Sequence, residues 1–158
     1  MDGGTGQLVH REHFKTLYPR NPPITQGRIY ASRSMDEILL LDVTATEQGR
    51  EPDYDLISEV VGGTFLPVSY GGGITSVDQA MRIVSECGAD KVVINTAAVD
   101  EPDLIRKVAD RFGSQCVVVS IDSRRTKGGW EAYTHSGTRA TGQDPVSLAR
   151  TAEACGAG

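Results

Sequence analysis

The chain has 158 residues, 39% apolar and 23% charged, with a formal net charge of -5. That composition excludes wholesale disorder and allows one domain with a real core. An acidic chain without a basic run has no electrostatic reason to bind nucleic acid or an anionic membrane, and its apolar runs are far shorter than a bilayer span.

No charged-then-apolar leader opens the sequence, so the cytosol is the expected compartment. Residues 1–6 carry no strand pattern. The first buried-strand pattern is "EILLLDV" (37–43), followed by "TFLPVSY" (64–70). "SYGGGI" then places three glycines, Gly71, Gly72 and Gly73, directly behind a strand. The next segment, "TSVDQAMRIVSECG", reads as a helix with Val77, Ala80, Met81 and Val84 on one face, a capping box from Ser76 to Gln79, and Gly88 as its stop. "DKVVINT" (90–96) is a third strand. "DEPDLIRKVADRFG" is a helix with Pro102 in its first turn and a stripe of Leu104, Ile105, Val108 and Phe112. "QCVVVSID" (115–122) is a fourth strand, in which Cys116 is expected to be a buried small hydrophobe. In the long polar stretch that follows, Trp130, Ala132 and Thr134 alternate with Glu131, Tyr133 and His135 ahead of a Ser-Gly turn, which predicts a β-hairpin inserted in the loop. "QDPVSLARTAEACG" closes the chain as a helix with Asp144 as N-cap and Pro145 at its first position.

Strands alternate with helices, and three of the four strands are continuously apolar, as in a parallel sheet covered on both faces. "SECGAD" (85–90) leads into a strand, whereas the matching "EACGAG" (153–158) ends the sequence. The reading is therefore one domain over 1–158, an excerpt of a longer βα series truncated at both ends. A closed eight-stranded barrel needs at least about 200 residues; an open doubly wound sheet also fits the pattern.

Loops at the carboxyl ends of parallel strands hold function in α/β folds. Those ends carry Asp42, the three glycines, Asn95 with Thr96, and Asp122. A glycine turn before a capped helix can cradle phosphate with backbone N–H groups, but glycine also serves tight turns. The sequence has no phosphate-loop lysine motif, dinucleotide G-x-G-x-x-G or G-x-S-x-G elbow. Its three cysteines, Cys87, Cys116 and Cys155, form no C-x-x-C, and no H-x-x-x-H occurs. Neither a disulfide framework nor metal catalysis is expected, and no cofactor is implied. His10 and His13 read as surface residues, and His135 as a possible substrate contact. Acid–base chemistry by facing carboxylates fits best, with Asp122 as one member and Asp2 as its partner if a first strand ends there.

With these residues in view, the chain resembles the cyclase subunit of imidazole glycerol phosphate synthase, a histidine-biosynthesis enzyme. The segments that carry the resemblance include "DEILLLDVTAT", "GGGI", "GADKVVINTAAV", "ADRFGSQCVVVSID", "YTHSGT" and "CGAG", in the family's order. The resemblance implies a (βα)8 TIM barrel, of which this chain would cover the second to fifth βα units. It implies Asp122 and Asp2 as general acid and base, and a substrate phosphate site at Gly72, Gly73, Asn95 and Thr96; Asp42, from its place at a strand end, is either a further substrate-binding residue or a helix cap or salt-bridge partner. Glu37 and Lys91 match residues that gate an ammonia passage at the opposite end, where a glutaminase subunit docks. His10 stands where the cyclases carry a lysine. "SYGGGI" and "REPDYDLI" are closer to a paralogue associated with amidation of bacterial surface sugars, which also works beside a glutamine amidotransferase. The paralogue's reaction and a non-catalytic fragment remain alternatives to the cyclase.

Overall fold

The structure is a computed structural model and describes residues 8–12, 15–19 and 22–158. Asp2 and His13 lie outside these. A short antiparallel pair, β1 (Val9–Glu12) and β2 (Lys15–Pro19), comes first, followed by helix α1 (Pro23–Ala31). The chain then alternates: β3 (Ile38–Leu41), α2 (Ala45–Gln48), α3 (Tyr54–Gly62), β4 (Val68–Gly71) and α4 (Val77–Met81). It continues through β5 (Lys91–Ile94), α5 (Thr96–Asp100), α6 (Asp103–Phe112) and β6 (Val117–Val119). β3, β4, β5 and β6 form one parallel sheet in sequence order, the arrangement of a barrel wall.

The two faces of this sheet follow from the two-residue period of a strand. Leu40, Tyr70, Val92, Ile94 and Val117 face the helices in one core with Ile57, Val60, Ile83, Leu104, Ile105 and Val108. Burying each large apolar side chain of this kind contributes about 1.5–3 kcal/mol. The opposite face, the barrel interior, carries Leu39, Leu41, Ser69, Gly71, Lys91 and Val93, and here Leu39 is 57% exposed.

All four strands are shorter than their sequence patterns; β4, for one, begins only at Val68, after the exposed Phe65. The fourth differs most: Ser114–Cys116 form a 3-10 turn, and Cys116 is half-buried instead of buried. The helix after Gly73 also departs from expectation. Ser76 Oγ accepts from the Gln79 N–H at 3.2 Å, but Gln79 Oε1 reaches back to the Thr75 N–H at 2.8 Å instead of to Ser76. Beyond Met81 the helix widens into a π-helical turn, Arg82–Glu86, which rotates the following residues. The buried face becomes Ala80, Ile83 and Cys87, leaving Val77, Met81 and Val84 only part-buried. In α6 the expected stripe is in place, and Pro102 sits at the N-cap.

After β6 the chain leaves the sheet as an antiparallel arm of β7 (Asp122–Thr126), β8 (Gly129–Thr134) and β9 (Arg139–Ala140). The predicted hairpin is its smaller half, since β8 pairs mainly with β7. Helix α7 (Pro145–Ala154) follows, with Asp144 Oδ2 accepting from the Ser147 N–H at 2.9 Å. Among the described residues no helix is long and apolar enough to cross a membrane.

Candidate active site at the mouth of the sheet

The carboxyl ends of β3, β4, β5 and β6 meet in two adjoining hollows. The inner one, about 130 Å³, is lined by Asp42, Gly72, Asn95, Thr96, Asp122 and Ser136, among others. The outer one, about 310 Å³, shares Gly72, Asn95 and Thr96 and adds Arg50, Gly73 and Gln79.

Three backbones converge on the glycines. A Cβ on Gly71 would stand 2.9 Å from Val93 Cβ, and one on Gly72 would stand 2.2 Å from the Asp42 carbonyl oxygen. Gly72 and Gly73 have φ of +122° and +72°, a region that side chains disfavour. So the triplet is a close-approach device: β3, β5 and the loop carrying Arg50 pack on it, and its backbone forms the floor of both hollows.

Asp42 is buried and committed to that floor. Its Oδ1 accepts from Thr44 N–H and Oγ1, each at 3.1 Å, and from the Ala45 N–H at 3.2 Å. Its Oδ2 pairs with Arg50 at 2.7 Å. Burial works to raise its pKa, but the Arg50 guanidinium and the Thr44 bonds together hold the carboxyl below its ordinary value. Asp42 thus presents Arg50, the basic side chain in the outer hollow, which sequence reading did not single out. The only signal was a carboxylate eight residues upstream.

Asn95 and Thr96 follow β5. Asn95 Nδ2 donates to the Ser120 carbonyl at 2.9 Å, and Thr96 Oγ1 lies 3.3 Å from Asn95 Oδ1. Asp122 opens β7, with its carboxyl over the inner hollow. Burial pushes that carboxyl above its ordinary pKa, against the pull of the Asn95 amide and the Arg124 guanidinium. A carboxyl that keeps its proton to higher pH can donate and recover a proton on a group held in the inner hollow. Among the described residues no group of His, Cys, Asp and Glu could hold a metal.

The family model described as histidine biosynthesis protein matches residues 1–158. The chain belongs to that family. This is a TIM-barrel family, and the four-stranded parallel sheet is a partial barrel. Among curated proteins the chain is 39% identical over its whole length to "Imidazole glycerol phosphate synthase subunit HisF" of Streptomyces coelicolor. It spans 63% of that relative's length.

At the opposite end of the family sheet, the amino ends of the strands bring Glu37, Ser69 and Lys91 together. Lys91 Nζ lies 2.8 and 3.0 Å from the Glu37 carboxylate oxygens, and Ser69 Oγ donates to Glu37 Oε1. The Lys91 and Ser69 bonds hold the Glu37 carboxyl below its ordinary 4.5. A carboxylate with a lowered folded-state pKa adds stability that is present above its unfolded pKa and lost as pH falls through the folded one. We expect the urea midpoint to fall between pH 5 and pH 3, and part of that fall to disappear in Glu37→Gln. An unchanged acid limb in the variant would remove the pair from the account.

Proposed function

We propose that the chain is the part of an imidazole glycerol phosphate synthase cyclase that holds one substrate phosphate and one of two catalytic carboxylates. The observation that carries this reading is the shared inner hollow, where Asp122 faces Gly72, Asn95 and Thr96. The phosphate rests on the Gly72–Gly73 backbone beside Thr96, with Arg50 at its outer side. Asp122, whose pKa burial pushes above its ordinary value, donates to the ring-closing or leaving nitrogen and then takes the proton back. Asp2 supplies the second carboxylate. Ammonia enters from the Glu37–Lys91 end, delivered by a glutaminase partner. Phe65, fully exposed in the loop leading to β4 at that end, supports a docking face there, since aromatic anchors dominate interfaces.

The test uses the chain within a complete barrel, with ammonium salts replacing the glutaminase. Consumption of the phosphoribosyl-formimino precursor of imidazole glycerol phosphate is the expected result. A folded barrel that leaves the precursor untouched would overturn the cyclase reading.

A further inference from the structure

The turn between β8 and β9 has three consecutive residues in the left-handed region: His135, Ser136 and Gly137, with φ of 52°, 54° and 73°. Two of these are not glycine, and such residues hold that conformation only where the surroundings compensate. Closure of the turn does not use the Ser136 side chain. The Thr138 N–H reaches the carbonyls of Thr134 and His135, each at 3.1 Å, and Thr138 Oγ1 donates to His135 O at 2.6 Å. The Ser136 hydroxyl instead crosses to another element and donates to the Val43 carbonyl, just past β3, at 3.0 Å.

Beside that link the His135 N–H donates to Thr96 Oγ1 at 3.1 Å. With its oxygen engaged as acceptor, Thr96 is left to direct its own proton to Asn95 Oδ1, 3.3 Å away. The carbonyl end of the Asn95 amide then faces Thr96, and its NH₂ end donates to Ser120 and toward Asp122. Each bond in this series fixes the direction of the next.

We infer that Ser136 is a positioning residue. Its hydroxyl fastens the turn of the arm to the end of β3, and the fastened turn orients Thr96 and Asn95 at the floor of the inner hollow. This explains a serine at a left-handed position that glycine would occupy without strain. Only the kinetic arm of the test rests on the proposed function.

Two substitutions separate the hydroxyl from the backbone, both in the complete barrel. Ser136→Gly relieves the left-handed strain but removes the donor. Ser136→Asn tolerates the same conformation and restores an N–H donor. The loss of one part-buried hydrogen bond corresponds to about tenfold, so in Ser136→Gly the His135 backbone amide and the Asn95 side-chain amide exchange with solvent about tenfold faster. In Ser136→Asn both stay near wild type. In ammonium-driven turnover, kcat falls about tenfold in the glycine variant with KM within about threefold, and the asparagine variant recovers it. Wild-type exchange at both amides in Ser136→Gly overturns the inference, as does unchanged kcat in a turning-over enzyme. A wild-type barrel without turnover would fail the cyclase reading, and the exchange rates would still decide the role of Ser136.

Discussion

Asp122→Asn removes turnover by about 10²–10⁴-fold, the usual contribution of a positioned acid–base group, while the barrel keeps its fold. The replacement is isosteric and retains a partner for Asn95, so only the transferable proton is lost. Stability moves the other way, and its sign separates chemistry from damage. Burial raises the folded-state pKa of Asp122 above the ordinary 3.8. The native state therefore holds its proton more tightly than the unfolded chain, and stability falls as pH rises through that interval. Asparagine carries no such charge, so the variant is as stable as wild type at pH 3 and at least as stable at pH 7. Urea midpoints at the two pH values and ammonium-driven turnover measure both halves. Activity within about threefold of wild type would sink the acid–base role.

Gly72→Ala destabilises the chain by about 3–5 kcal/mol, in the range reserved for strain and backbone collision. The added Cβ would stand 2.2 Å from the Asp42 carbonyl oxygen and 2.8 Å from Asp42 Cβ, at a φ of +122°. Neither neighbour can yield without parting β3 from β4, and the total is a large share of a domain's usual 5–15 kcal/mol. Gly128 in the arm is the control, since a Cβ there meets nothing within 4 Å. Its change to alanine stays within about 0.5 kcal/mol. Denaturant titration compares the two, and a cost below about 1 kcal/mol at Gly72 would remove the close-packing account.

The parallel strands were legible because their apolar runs are continuous, and the caps at Ser76 and Asp144 because short polar side chains precede apolar stripes. The π-helical turn was not. Nothing in "RIVSE" departs from ordinary helix composition, so the sequence placed Val84 in the core where the structure has Ile83. β7 was also missed. "DSRRT" is polar throughout, and its strand character comes from pairing with β8, not from burial. At the site, the four strand ends were foreseen and do meet, but the part played by Asp42 depended on Arg50, which no motif announces.

The two stretches closer to the sugar-amidation paralogue, "SYGGGI" and "REPDYDLI", contribute Gly72, Gly73 and Arg50 to the outer hollow, whereas their tyrosines lie elsewhere. Tyr70 is fully buried on the helix-facing side of β4. The Tyr54 ring lies beneath Arg82, whose guanidinium sits 3.6 Å from its centroid. Neither side chain lines the inner hollow. These tyrosines record how the helix layer packs on the sheet, and Arg50 is the basic residue of the two stretches that lines the outer hollow.

The barrel sheet ends at Val119, and Asp122 belongs to the arm. The carboxylate and the glycine floor therefore descend from different pieces of chain: one is scaffold, the other an appendage joined through Ser120 and Ile121. A change in the arm can therefore alter the setting of Asp122 without touching the packing of the three glycines against β3 and β5. Exchange of residues 122–141 between relatives would carry Asp122 across together with the Ser136 and His135 bonds that reach Val43 and Thr96, so the swapped piece brings its own fastening with it.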